Sequence, residues 1–267
     1  MTSLTNSPLT PLDKLFETPG AKLIGYVPAG FPTIDGAREI IKAMVEGGVD
    51  AIEVGFPYSD PVMDGPTIQA AADQSLANGT SAKDVIETLK YASSLAPSVV
   101  MSYWNPIEKY GVDKFAQDLA DAGGSGTITP DLTIEEASAW INACQNHNLN
   151  PIFVIAPSSN DERLEKVLSN CGGFVYAASL MGVTGARAQV SSAAEILVER
   201  ARKFTNLPIS VGLGVSTPDQ AAGVAKYADG VIVGSAFINA VQNAPSFEEG
   251  LIAVKKLAQE LKAGIAR

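Results

Sequence analysis

Glu53 lies inside the run Ala51-Ile52-Glu53-Val54-Gly55. An ionised carboxylate among packed apolar residues costs several kcal/mol unless something compensates. Either a buried Lys or Arg pairs with it, or the position serves chemistry that needs a perturbed acid. The segment that follows, Pro57-Tyr58-Ser59-Asp60-Pro61-Val62-Met63-Asp64-Gly65-Pro66, brings two further carboxylates, Asp60 and Asp64. Asp before Pro or Gly is also ordinary turn chemistry. This loop is long and apolar for a simple connection, however, and it starts directly after the buried Glu. Such a loop could bring a second acid to Glu53, and acids held in this way suit proton transfer.

A second kind of chemistry is suggested by glycine. Val211-Gly212-Leu213-Gly214-Val215-Ser216 and Val233-Gly234-Ser235-Ala236 each run from an apolar stretch through glycine into a helical pattern. Backbone N–H groups at such junctions bind phosphate without any lysine, although glycines also simply make tight turns. Met181-Gly182-Val183-Thr184-Gly185-Ala186-Arg187 forms a third glycine-bearing stretch, long enough to act as a lid.

Eight short apolar runs could position these groups: Leu23 to Val27, Ala51 to Val54, Val99 to Tyr103, Gly126 to Thr129, Pro151 to Ile155, Phe174 to Ala177, Ile209 to Gly212 and Val231 to Val233. They are continuous rather than alternating, as parallel strands buried on both faces should be. Amphipathic stretches such as Ala37-Ile40-Ile41-Met44-Val45 and Val85-Leu89 separate them. With no linker or composition shift, the pattern predicts a single-domain (β/α)8 TIM barrel of the α/β class spanning 1–267. Pro11 to Glu17 would be an extra N-terminal helix closing its lower mouth. An open doubly wound sheet is the alternative, but Pro28-Ala29-Gly30-Phe31-Pro32 after the first run is no dinucleotide fingerprint. In a barrel, Glu53, the acidic loop and the glycine junctions would share the face at the strand carboxyl ends.

Composition narrows the partners. A formal charge of -10 disfavours nucleic acid, whose phosphates need a basic surface. Neither an apolar run long enough to span a bilayer nor a leader-like N-terminus is evident, and Cys144 and Cys171 have no metal-ligand or paired spacing. These features predict a cytoplasmic protein that makes no use of a membrane or a metal. His147, the only histidine, lies at a helix end, where capping or solvent contact is its expected role. Trp104 and Trp140 are expected to pack.

The stretch Glu53-Val54-Gly55-Phe56-Pro57-Tyr58-Ser59-Asp60-Pro61-Val62-Met63-Asp64-Gly65-Pro66-Thr67-Ile68-Gln69 resembles the signature of the tryptophan synthase α subunit family. Met101 to Ile107, Pro130 to Leu132, Gly182 to Arg187 and the two later glycine junctions extend the resemblance over almost the whole chain. It implies a lyase that cleaves indole-3-glycerol phosphate in tryptophan biosynthesis and passes indole to a β subunit within an α2β2 heterotetramer. Pyridoxal phosphate belongs to that partner, and no cofactor is expected here. By the same resemblance Glu53 is the acid/base, Asp64 holds the indole N–H, and Gly185, Gly214, Gly234 and Ser235 bind phosphate. Tyr103 and Tyr176, with Tyr26, Ile68 and Met101 as apolar lining, surround the indole. Thr184 is the lid residue that meets the Asp64 loop, and the Asp60-Pro61 and Asn105-Pro106 segments face the partner. Ala177-Ala178-Ser179-Leu180 is smaller than the family's usual run, and Thr133 replaces a common proline.

Overall fold

A computed structural model of the chain describes residues 8–178, 187–212 and 214–267, with the side chains of 187–192 left aside. In chain order the elements are α1 (Pro11–Glu17), β1 (Lys22–Pro28), α2 (Ile34–Glu46), β2 (Ala51–Gly55), α3 (Pro66–Ala77), α4 (Ala82–Ser93), β3 (Ser98–Met101), α5 (Trp104–Tyr110), α6 (Val112–Asp121) and β4 (Gly126–Thr129). The second half continues with α7 (Ser138–Asn146), β5 (Asn150–Ile155), α8 (Asp161–Leu168), β6 (Val175–Ala178), α9 (Arg187–Ala201), β7 (Ile209–Gly212), α10 (Pro218–Ala225), β8 (Gly230–Val233), α11 (Ser235–Gln242) and α12 (Phe247–Ile265).

Each strand pairs in parallel with the next, and β8 pairs back onto β1, so the sheet closes as a barrel. Closure excludes the open-sheet alternative. All eight expected strands are present, most of them shifted by a residue or two. The third is the instructive exception. The apolar run there continues to Tyr103, but β3 stops at Met101 and Tyr103 becomes the N-cap residue of α5.

Helices cover the outer face because their apolar stripes match it. In α2, Ala37, Ile40, Ile41 and Met44 are buried, and the Thr33 hydroxyl accepts a hydrogen bond from Gly36 N at the start. In α4, Val85 and Leu89 are buried behind a Ser81/Asp84 capping box. Helix α1 lies across the amino ends of the strands: Asn150 Nδ2 donates to Thr10 Oγ1 at 2.9 Å and to Asp13 Oδ1 at 3.2 Å, and Phe16 packs on Phe174. This is the expected lower plug. Among the described residues no helix is long and apolar enough to cross a membrane.

Register decides what faces the barrel axis. Tyr26 sits beside Glu53, Glu53 beside Val99, Gly55 beside Met101, and Met101 beside Ile128. On the other side Val154 is level with Tyr176, Tyr176 with Ser210, and Gly212 with Ile232. Neighbours in register point the same way. Gly25, one residue off, turns its face to Met44 and Phe237 on the outer helices, so Tyr26 and the residues level with it point inward.

Candidate active site

A cavity of about 330 Å³ opens at the carboxyl ends of the strands, lined by Glu53, Asp64, Tyr26, Ile68, Met101, Tyr176, Gly214, Gly234 and Ser235 among others. A larger groove, lined by Glu17, Glu195, Glu199 and Asp229 together with Arg202 and Lys226, lies at the opposite end. The face at the strand carboxyl ends is the one barrels use for chemistry, and there the smaller cavity gathers the candidate residues.

Glu53 projects inward from the middle of β2 and is only 3% exposed. Its Oε2 is buried with no hydrogen-bond partner, and no ion pair reaches it among the described residues. Among the described residues, then, nothing supports the buried-salt-bridge alternative. Burial, with the charge of Asp64 second, pushes its pKa up to about 8. Glu53 is an acid that keeps its proton at neutral pH.

Asp64 reaches the same cavity from the loop between β2 and α3. Gln69 Nε2 donates to the Asp64 carbonyl at 2.8 Å, and Asp64 N donates to Pro61 O at 3.0 Å, which folds the loop back over β2. The Tyr103 hydroxyl donates to Asp64 Oδ2 at 3.0 Å and accepts from Met63 N at 2.9 Å. Burial raises the pKa of Asp64 to about 6, against the opposing effect of the Tyr103 hydrogen bond. Tyr103 was expected in the pocket wall. Instead it does not line the cavity, because the chain turns into α5 at this point and carries the phenol behind the loop. Among the described residues, the carboxylate of Asp64 thus has its donor in Tyr103. Asp60 is exposed, accepts from Ser59 Oγ at 2.6 Å, and keeps to turn duty outside the cavity.

The opposite wall is backbone. Gly234 is the N-cap residue of α11 and Ser235 its first residue, so free N–H groups at a helix start face the cavity. Gly214 adopts φ +64°, a left-handed conformation that favours glycine, and lines the same wall. Among the described residues no Lys or Arg lines the cavity. Thr184 and Gly185, expected as lid and phosphate ligand, lie outside the described residues, as do Ser179, Leu180 and Leu213.

Two tyrosines floor the cavity in matching fashion. The Tyr26 hydroxyl occupies the place a Cβ on Gly55 would take, and the Tyr176 hydroxyl does the same at Gly212. Strand ends without side chains let each phenol swing across to its neighbour. Sequence reasoning did not find the lining contributions of Met63, Ala178, Gly212 and Ile232. Ala178 and Ile232 carried a usable signal, the inward alternation along β6 and β8.

A family model described as "Tryptophan synthase alpha chain" matches residues 12–266. The chain belongs to that family. The alpha chain of Thermobifida fusca (strain YX) is 57% identical over 249 residues, covering 92% of each sequence. That of Salinispora arenicola (strain CNS-205) is 54% identical over 246 residues, again 92% of each. Among solved structures, the aminoacrylate-bound form of tryptophan synthase from M. tuberculosis aligns with a TM-score of 0.87 at 44% identity, covering 96% of this chain and 99% of that one. Tryptophan synthase subunit alpha from Legionella pneumophila str. Paris aligns with a TM-score of 0.88 at 32% identity, covering 97% and 99%. Tryptophan synthase alpha chains are lyases of tryptophan biosynthesis, and this alpha chain is one of them.

Proposed function

We propose that the chain cleaves indole-3-glycerol phosphate to indole and glyceraldehyde 3-phosphate, with Glu53 as the acid/base and Asp64 as the anion at the indole N–H. The supporting observation is the pairing of a buried, unpartnered acid with pKa about 8 and a second acid with pKa about 6 in one cavity. Between those values Glu53 is protonated and Asp64 ionised. Glu53 gives its proton to ring carbon C3, and the ring nitrogen takes up the positive charge that Asp64 stabilises. The Glu53 carboxylate then takes the proton of the glycerol hydroxyl next to the ring. That O–H electron pair becomes the aldehyde carbonyl, the carbon–carbon bond breaks, and its electrons return to the ring. Glu53 ends as it began.

The aromatic ring would sit against Tyr176, Tyr26, Ile68 and Met101, and the phosphate against Gly185, Gly214, Gly234 and Ser235. Residues 1–267 act as one domain, without a cofactor of their own and in the cytoplasm. A pyridoxal-phosphate-bearing β subunit is the partner in an α2β2 assembly. Two segments assigned to that contact adjoin one another, since Asn105 Nδ2 donates to Tyr58 Oη at 3.0 Å, and Val62 and Met63 stand 79% and 55% exposed beside them. The test is an assay of the purified chain on indole-3-glycerol phosphate with and without a β subunit. Release of indole is expected in both, faster with the partner. No release in either would refute the proposal, and full turnover by the chain alone, unchanged by a β subunit, would refute the partnership.

A further inference from the structure

Tyr26 was expected only as apolar lining, yet its polar end lies on the Glu53 side of the cavity. Its strand position is level with Glu53 on the neighbouring strand, and both side chains face the barrel axis. Its hydroxyl does not stay above β1. It crosses to β2 and fills the space over Gly55, the next inward position above Glu53. Inward positions on one strand repeat about every 6.6 Å, a gap that a glutamate side chain and a phenol reaching toward each other can close. The ring lies against Gly234 at the phosphate wall, its Cδ1 3.1 Å from where a Cβ on Gly234 would be. The phenol therefore spans from the proposed phosphate wall at Gly234 to Gly55 above Glu53, beside the path along which the glycerol chain of the substrate would run. Tyr26 is 6% exposed and lines the cavity, and Glu53 Oε2 is buried without a partner.

We propose that the Tyr26 hydroxyl relays the proton between the substrate's glycerol hydroxyl and Glu53. This proposal rests on the cleavage reaction argued above. In the bond-breaking step the Tyr26 O–H proton passes to the Glu53 carboxylate while the substrate hydroxyl gives its own proton to the Tyr26 oxygen. The substrate O–H pair forms the aldehyde carbonyl, the carbon–carbon pair returns to the ring, and Tyr26 is left unchanged. The phenol suits the task because it does not ionise by itself: burial, followed by the charges of Asp64 and Glu53, raises its pKa well above the usual range. Tyr176, over Gly212 on the far side of the cavity, is left to contact the aromatic ring.

Tyr26→Phe removes one oxygen and keeps the ring on Gly234. Single-turnover cleavage of indole-3-glycerol phosphate by the variant should slow by about 10-fold or more. Its KM, and its affinity for indole-3-propyl phosphate, which has ring and phosphate but no hydroxyl, should stay within about twofold of the parent. In mixtures of light and heavy water the parent rate should bend as two protons in flight require, and the variant rate should fall on a straight line. Cleavage by Tyr26→Phe at the parent rate overturns the relay. Loss of indole-3-propyl phosphate binding in step with the rate also overturns it, because the role would then be packing. If the parent chain itself releases no indole, the cleavage reading fails first and takes the relay with it.

Discussion

Glu53 and Asp64 are two carboxylates facing one cavity, and what surrounds them makes them different acids. Glu53 is fixed in β2 and buried, and among the described residues its Oε2 has no partner, so burial, with the charge of Asp64 second, raises its pKa to about 8. Asp64 sits on a loop, is less enclosed, and accepts the Tyr103 hydroxyl, so its rise stops at about 6. The difference teaches that this barrel sets the two acids apart by the location of a single phenol and the depth of each side chain. No cation is needed for it. The same economy marks the opposite wall, where the start of α11 lines the cavity and no Lys or Arg does so among the described residues.

The most severe way to break the contrast is Glu53→Gln, which keeps the shape and removes the movable proton. Cleavage should fall by about 10³-fold or more, with indole-3-propyl phosphate still bound. Stability should move the other way. A carboxyl whose folded pKa lies above its unfolded value binds more protons folded than unfolded, so it weakens the fold as pH rises from about 4.5 to about 8. Glu53→Gln escapes this loss. Urea midpoints should match the parent at pH 4 and exceed it at pH 8.5, by a few kcal/mol in unfolding free energy. A midpoint that is lower at both pH values would show that Glu53 has a stabilising partner.

Asp64→Asn comes next, with a loss of about 10²-fold, since the amide can still bond the ring N–H but carries no charge to offset the developing cation. The pH profile separates the two acids without mutation. For the parent, kcat/KM should be bell-shaped, rising as Asp64 ionises near pH 6 and falling as Glu53 ionises near pH 8. In Asp64→Asn the acid limb should vanish and the alkaline limb move down, because the charge of Asp64 helps to hold the proton on Glu53. An acid limb that survives in Asp64→Asn would assign it to another group.

How much of this could be read from the chain itself depends on range. The eight strands were legible because a parallel strand buried on both faces is an apolar run, and Glu53 was conspicuous as the charge inside one. Where such a run stops is not written in hydrophobicity. Ser102 and Tyr103 are as buried as the strand before them, yet they belong to the turn into α5, which sets Tyr103 behind the Asp64 loop and not in the cavity wall. The seats that Gly55 and Gly212 provide for Tyr26 and Tyr176 depend on which strands become neighbours and at what register. A glycine at a strand end looks the same whether it eases a turn or receives a ring. Whether Glu53 had a partner was likewise a question of distant contacts, and among the described residues no ion pair reaches it and its Oε2 has no hydrogen-bond partner.

The gentlest change sharpens the comparison most. Tyr103→Phe leaves the ring to pack on Tyr58, whose centroid is 5.2 Å away, and deletes the donor to Asp64 and the acceptor for Met63 N. A hydrogen bond to a charged group contributes about 1.5–3 kcal/mol, and its loss falls on the ionised form of Asp64. The pKa of Asp64 should therefore move up from about 6 toward that of Glu53, shrinking the window in which one acid is charged and the other is not. At pH 6.5 the variant should lose about 10-fold in kcat/KM, and by pH 7.5 much of that should return, because Asp64 is again ionised. A loss that is the same at both pH values would instead assign Tyr103 to holding the loop through Met63 N. The two acids would then owe their separation to burial alone.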